Sequence, residues 1–279
     1  SEEQKKLWHT CTLTPKETFT LAEEMNVIQD EPYGGVLTIG NTKIYKQARK
    51  ARVTVLLEGQ GLDELMAGYK YYRIELEHDT AGRKVGDSSL EFSQDLTKLL
   101  DRTLLQKSFV EKHASRSIFF ESPFSSHLLN AQYRDVRYTK LPRVLRFNDH
   151  VSMAYSRELR LPYLDHRIVE FCFSLPNQYK IRGNEHKTLI REAMKEFLPH
   201  VIRARPKKAF GAIQTEWFRA YLKNETEALL TSKQFSQRPY LDHGLLKEKL
   251  KRFYAGEGDN SFFLWQCVNL ELWFREFID

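Results

Sequence analysis

Asp63 and Glu64 close the stretch Val53-Thr54-Val55-Leu56-Leu57-Glu58-Gly59-Gln60-Gly61-Leu62-Asp63-Glu64, which sets two carboxylates directly after an apolar run and a glycine turn. Gly59 and Gly61 let the backbone around Gln60 approach a ligand closely, and the N–H groups of a following helix start favour an anion. Two acids beside a phosphate repel it unless a divalent cation lies between them. The pattern therefore suggests a phosphate site with Asp63 and Glu64 as magnesium ligands. Acids in a first helical turn also complement the helix N-terminus, and spacing alone leaves both readings open.

The cations that such a site needs lie far along the chain. Lys187 and Arg191 are four residues apart, hence on one helix face, at the margin of the apolar stripe Leu189, Ile190, Ala193, Met194 and Phe197. A cation at the margin of a buried face can point into a cleft. Lys207 and Lys208 follow Arg205-Pro206 and can reach phosphate from a loop. Glu158 and Arg160 suit either substrate binding or a buried ion pair that holds a cleft together, with the structural role preferred. Asp149 and Asp165 each precede a helix-like run and suit N-caps. His150 and Ser152 invite a base-and-nucleophile reading, but adjacent turns of one helix rarely assemble a triad.

Six segments occur in order: Asp30-Glu31-Pro32, Gly59-Gln60-Gly61-x-Asp63-Glu64, Asp149-x-x-Ser152-Met153, Glu158-x-Arg160-x-Pro162-Tyr163-Leu164-Asp165, Lys187-x-x-Ile190-Arg191-Glu192 and Arg205-x-Lys207-Lys208-x-Phe210. Together they resemble the C-terminal synthetase domain of glutamine-dependent asparagine synthetases. The resemblance implies an α/β fold, a remnant of a parallel sheet of the adenine nucleotide alpha hydrolase-like (PP-loop ATPase) type, with a large, mainly helical remainder. It implies ATP and Mg²⁺, aspartate activated as a β-aspartyl adenylate, and ammonia, derived from glutamine, displacing AMP. Asp63 matches the family's magnesium ligand, with Glu64 beside it. Lys187 matches the lysine that contacts the phosphates and stabilises the transition state. Asp30, Glu31, Asp149, Ser152, Glu158, Arg160 and Asp165 are left as substrate-binding or structural positions.

Departures accompany the matches. The family's S-G-G-x-D-S-[ST] pyrophosphate loop is absent, so the resemblance implies a partial synthetase domain over 1–279 of a longer enzyme with a glutaminase domain upstream. Such a piece is expected to be inactive alone. Gln60 stands where some relatives have a Glu proposed to take part in the chemistry, and Leu62 where small residues are usual. A relative acting on another carboxylate is the alternative within the same chemistry.

At 279 residues and 41% apolar side chains the chain can bury a sizeable core. Three widely spaced cysteines, Cys11, Cys172 and Cys267, read as buried reduced thiols. With no apolar stretch of membrane length and no signal region, the expectation is a soluble cytoplasmic protein. The net charge of +6 concentrates between Lys180 and Lys208, with nine Lys or Arg against three Glu. A non-catalytic nucleic-acid-binding domain is the rival from another class. The segment holds one aromatic, Phe197, and no recognised nucleic-acid module, so a triphosphate is the preferred partner.

The elements that must position these residues follow from periodicity. Residues 1–77 read as an α/β part: a strand from Trp8 to Leu13, a capping box at Thr14 to Glu17, a helix to Val27, a loop from Asp30 to Gly40, and a helix from Thr42 to Ala51. Val53 to Leu57 then reads as an inner parallel strand, and Leu62 to Tyr72 as a helix. Residues 78–89 read as a linker. Residues 90–279 read as mainly helical, over 90–113, 126–147, 149–157, 165–174, 186–197, 213–231, 243–255 and 260–278. The aromatic run from Ser261 to Phe277 is expected to be core.

Overall fold

The computed structural model of the protein describes residues 8–85, 88–89, 102–113, 119–205, 211–258 and 261–279. Trp8 to Leu13 forms no strand, correcting the first expected element, because no described strand pairs with it and Trp8 is exposed. The capping box forms as expected. Thr14 N–H and Oγ1–H donate to Glu17 Oε2 at 3.0 and 2.7 Å, and a 3-10 turn leads into helix α1, Thr18–Gln29. That helix stops at Asp30, which adopts the left-handed conformation at φ +58°. Helix α2, Val36–Lys50, starts earlier than the expected Thr42. Its first N–H, on Val36, donates to Gln214 Oε1 at 2.9 Å, a partner that local pattern cannot reveal.

Strand β1, Val55–Leu57, pairs in parallel with strand β2, Glu158–Arg160, in the register Val55 to Glu158, Leu56 to Leu159 and Leu57 to Arg160. The parallel geometry is as expected, but full burial is not. Leu56 and Leu159 pack on the main core, whereas Val55 and Leu57 face outward at 36% and 72% exposure. A strand reads as inner only if both faces are covered, and here one is.

After β1 the expected helix from Leu62 to Tyr72 is interrupted. Helix α3 is one turn, Leu62–Leu65. Ala67 then turns left-handed at φ +51°, and α4 runs Tyr72–Thr80, into the segment expected to be linker. Helix α5, Lys107–His113, lies in the expected 90–113 region, of which 90–101 is outside the described residues. Helices α6, His127–Arg137, and α7, Lys140–Ala154, break at Tyr138-Thr139 rather than near Asn148. Asp149 is therefore inside α7 and is not an N-cap. Asp165 is one: its carboxylate accepts Arg167 N–H at 3.0 Å and starts α8, His166–Ser174. A hairpin of β3, Ile181–Arg182, and β4, Glu185–His186, was not expected and precedes α9, Thr188–Ala193, and α10, His200–Arg203. Helices α11, Gly211–Ala220, and α12, Lys223–Leu230, divide the expected 213–231 helix; α13, His243–Tyr254, and α14, Ser261–Phe277, fall where expected.

The main core gathers around α14, which packs chiefly on α1, α11 and α12; its Phe263, Leu264, Trp265, Cys267, Val268 and Leu272 join one apolar cluster with residues of α1, α2, α7 and α13. Burying each such side chain contributes roughly 1.5–3 kcal/mol. Helix α14 also fixes the Asp30-to-Gly35 loop: Trp273 Nε1–H donates to Asp30 O and Trp265 Nε1–H to Gly34 O, both at 2.9 Å. Cys172 and Cys267 are buried free thiols, while Cys11 is exposed, against expectation. Overall the protein is a mixed α/β structure, mostly helical, with a small parallel sheet.

Candidate functional site

Leu65, Met66 and Cys172 form a small second core, against which Leu62, Leu189 and Ile190 pack. Burial of these apolar neighbours forces the polar residues beside them to meet at the margin. Lys187 Nζ lies 2.8 Å from Asp63 Oδ1, each side chain about one quarter exposed. The backbone is shaped around this pair. His186 Nδ1 donates to Ala67 O at 2.7 Å, and Gly68 N–H to Asp63 O at 2.7 Å. Glycine at position 68 leaves room for the pair, since a Cβ there would meet the Asp63 carboxylate and the Lys187 stem and oblige one of them to move. Lys187 itself adopts the left-handed conformation at φ +60°.

Gly61 sits at φ +94°, and a Cβ on it would run into Leu164, so glycine is required on both counts. Gly59 is in open surroundings and Gln60 is half-buried. The single turn of α3 is too short to present much of a helix dipole, which weakens the expectation of an anion held by the helix start alone.

Glu64 turns the other way. It is buried, accepts Tyr69 O–H at 2.7 Å, and burial pushes its carboxyl above the usual range. Behind it Tyr71, Tyr72 and Thr139 all donate to the buried Asp135. Lys140 Nζ stands 3.9 Å over the Tyr69 ring and 4.2 Å over that of Tyr71. Asp63 is thus the more accessible carboxylate of the adjacent pair.

The basic helix is internally engaged. Arg191 donates to the carbonyls of His186, Arg203 and Arg205, tying α9 to the chain beyond α10. Glu192 pairs with Lys195 at 2.9 Å and Arg203 at 3.6 Å. Lys180 is fully buried, with its ammonium donating to Gln132 Oε1 at 2.9 Å. Lys207 and Lys208 lie outside the described residues. The expected apolar stripe is only partly covered, since Leu189 and Ile190 pack but Phe197 is 74% exposed.

The remaining positions fall elsewhere. Glu158 and Arg160 pair at 2.7 Å, but both are exposed, so the ion pair is not a buried one. Glu31 pairs with Arg146 at 2.7 Å. Ser152 Oγ–H donates to Asp149 O and His150 Nδ1 to Ile28 O, so the two do not form a dyad.

Glu58 was not singled out from sequence. It follows β1 directly, accepts Tyr45 O–H at 2.6 Å and Asn148 Nδ2–H at 2.9 Å, and lines a cleft of about 330 Å³ with Arg146, Asp149, Leu159 and Leu161. A charged residue directly after a parallel strand was the available signal, because ligands collect at the carboxyl ends of such strands.

Comparison with known proteins bears on the family of the chain. The sequence profile described as asparagine synthase matches residues 3–275. The chain is 26% identical to asparagine synthetase [glutamine-hydrolyzing] 1 of Bacillus subtilis, over 87% of this chain and 44% of that protein. Asparagine synthetase [glutamine-hydrolyzing] 3 of the same organism is 25% identical, over 92% and 42%. The human asparagine synthetase [glutamine-hydrolyzing] is 26% identical over 72% and 37%. The chain therefore spans less than half the length of these relatives. Among the described residues no helix is long and apolar enough to cross a membrane.

Proposed function

Because this chain belongs to the asparagine synthase family, we propose that it forms part of an ATP-dependent amidoligase that activates the aspartate side chain and transfers ammonia to it, giving asparagine. The observation that carries this reading is the contact of Lys187 with Asp63, which unites the Gly-Gln-Gly-x-Asp-Glu and Lys-x-x-Ile-Arg-Glu segments at 2.8 Å. In the first step a carboxylate oxygen attacks the α-phosphorus of ATP, and pyrophosphate leaves. Ammonia then attacks the acyl carbon, AMP departs, and the nitrogen loses a proton.

Lys187 offers a fixed ammonium to the charge that builds on the leaving pyrophosphate. Asp63 is a suitable Mg²⁺ ligand, since it is partly exposed and its oxygen already holds a cation, whereas Glu64 is engaged by Tyr69 and fits a supporting place. Bound with the nucleotide, Mg²⁺ supplies neutralising charge to the phosphates, and one carboxylate suffices because this ion keeps several waters. Gly59, Gln60 and Gly61 form the turn that delivers Asp63. Arg191 supports Lys187 by fixing the backbone at His186, and Lys207 and Lys208 are further phosphate contacts. The ammonia comes from glutamine, through a glutaminase domain in the complete enzyme.

The test is ATP–pyrophosphate exchange by the intact enzyme with aspartate and Mg²⁺. Aspartate-dependent exchange that falls strongly in Asp63→Asn, with the Mg²⁺ requirement raised, is the expected result. Exchange driven by a different carboxylate and not by aspartate would reassign the acceptor. No exchange with any carboxylate would sink the ligase reading.

A further inference from the structure

Glu75 and His78 of α4 and His127 of α6 converge, and none of the three has a part in the site described above. Their potential ligand atoms all lie within 4.8 Å of one another, and no other such group of three occurs among the described residues. Glu75 and His78 are spaced i, i+3 and so share one face of α4. His78 Nδ1 is 3.7 Å from Glu75 Oε2, and the His78 and His127 rings meet edge-on with centroids 5.3 Å apart. All three side chains are partly buried, which limits their freedom while leaving a path for an ion.

Two details go beyond proximity. His127 Nε2 lies 3.0 Å from Arg83 O, and a carbonyl can only accept, so Nε2 carries the proton and Nδ1 keeps the lone pair. Metal-ligating histidines commonly orient the ring in this way, through the nitrogen that does not bind the ion. The backbone that carries His127 is held as well. Asp79, next to His78, accepts the Ser126 hydroxyl at 2.6 Å, the N–H groups of His127 and Leu128, and Asn177 Nδ2–H at 3.2 Å. One turn of α4 thus supplies two ligands and the cap that positions the third. Arg134 also faces Glu75, but burial outweighs it and pushes the Glu75 carboxyl up from its ordinary range.

We propose that Glu75, His78 and His127 form a binding site for a borderline-soft divalent ion, Zn²⁺ first, which ties α4 to the start of α6. Two imidazoles and one carboxylate suit Zn²⁺ and leave a fourth position for water. Tetrahedral bonds of about 2.0–2.2 Å place ligand atoms roughly 3.4 Å apart, so the three side chains need to close by about an ångström or so. Magnesium, which prefers oxygen ligands, is a poor competitor.

The experiment titrates metal alone into the intact, nucleotide-free protein, against a chromophoric chelator for Zn²⁺ and by visible absorption for Co²⁺. The expectation is one tight equivalent of Zn²⁺, unaffected by excess Mg²⁺, intense tetrahedral Co²⁺ bands, and a raised midpoint of thermal unfolding with Zn²⁺. His78→Gln, His127→Gln and Glu75→Gln should each weaken Zn²⁺ binding by about tenfold or more, and His200→Gln should leave it unchanged. Far-UV circular dichroism establishes that each variant is folded. The site is refuted if the wild type binds Zn²⁺ no more tightly than folded His78→Gln/His127→Gln. Absence of Co²⁺ bands in the wild type overturns it without any variant. Because neither ATP nor Asp63 takes part, failure here leaves the ligase reading standing, and the reverse also holds.

Discussion

Lys187 holds a backbone conformation that costs an L-residue on the order of 1 kcal/mol, and the pairing of its ammonium with Asp63 accompanies that strain. If the ammonium meets charge that develops only as pyrophosphate leaves, Lys187→Met should slow adenylate formation by about a hundredfold or more while changing ATP affinity little. Single-turnover rates at saturating ATP, beside a separately measured ATP dissociation constant, separate the two effects. A loss confined to affinity would make the site a binding surface only. Gly68 gives a steric counterpart. Gly68→Ala must displace Asp63 or Lys187, so it should cost about 1–3 kcal/mol and also suppress exchange. Gly40→Ala, inside α2 with open space around it, should instead gain roughly 0.5–1 kcal/mol. Equal effects of the two in thermal unfolding would refute this account of Gly68.

Elements were legible where their signals are local. Helix α8 carries its own cap, Asp165, while α13 and α14 carry continuous apolar faces, and all three fall close to their expected bounds. The early start of α2 was hidden because its N-terminal partner, Gln214, is distant in sequence. The interruption after α3 was hidden for a related reason. Leu65, Met66 and Ala67 have helical propensity, but packing of Leu65 and Met66 with Cys172, and of Ala67 with Tyr72, turns the chain and puts Gly68 against Asp63. The Asp63 and Lys187 motifs were readable as types, whereas Glu58, Arg146 and the Glu75 cluster carry no motif and become visible only once helices pack. Asp165 supplies a test at this scale. Asp165→Ala removes a cap and should lower stability by about 1 kcal/mol in urea unfolding. If capping is its whole role, ATP affinity stays unchanged, and a selective loss of aspartate binding would return Asp165 to the substrate site.

Among the described residues there are one large apolar cluster and two small ones, and the candidate site lies on the margin of a small one. Charge composition alone could not reveal how the basic segment is used, because whether a lysine faces solvent depends on which cluster its neighbours join. Lys180 is the extreme case. Ile181 beside it belongs to one small cluster and Cys172, which it faces, to the other, so its ammonium is enclosed with Gln132 Oε1 as its hydrogen-bond acceptor. Burial pushes its pKa from 10.5 down to about 8. Below about pH 8 the folded and unfolded chains both carry the proton, and the folded state bears the full penalty, on the order of 3 kcal/mol. Between about 8 and 10.5 the unfolded chain binds more protons than the folded one, so this group makes stability rise with pH across that window. Lys180→Met removes the linkage but leaves Gln132 Oε1 without its donor, a loss of about 1–3 kcal/mol that does not depend on pH. The variant should therefore fare best relative to the wild type near neutrality, and lose about 3 kcal/mol of that relative standing as the pH approaches 10.5. Other titrating groups act on both proteins and cancel in the difference. Denaturant unfolding of the pair at a series of pH values measures it, and parallel stability curves would mean that Lys180 is not titrating as an enclosed charge.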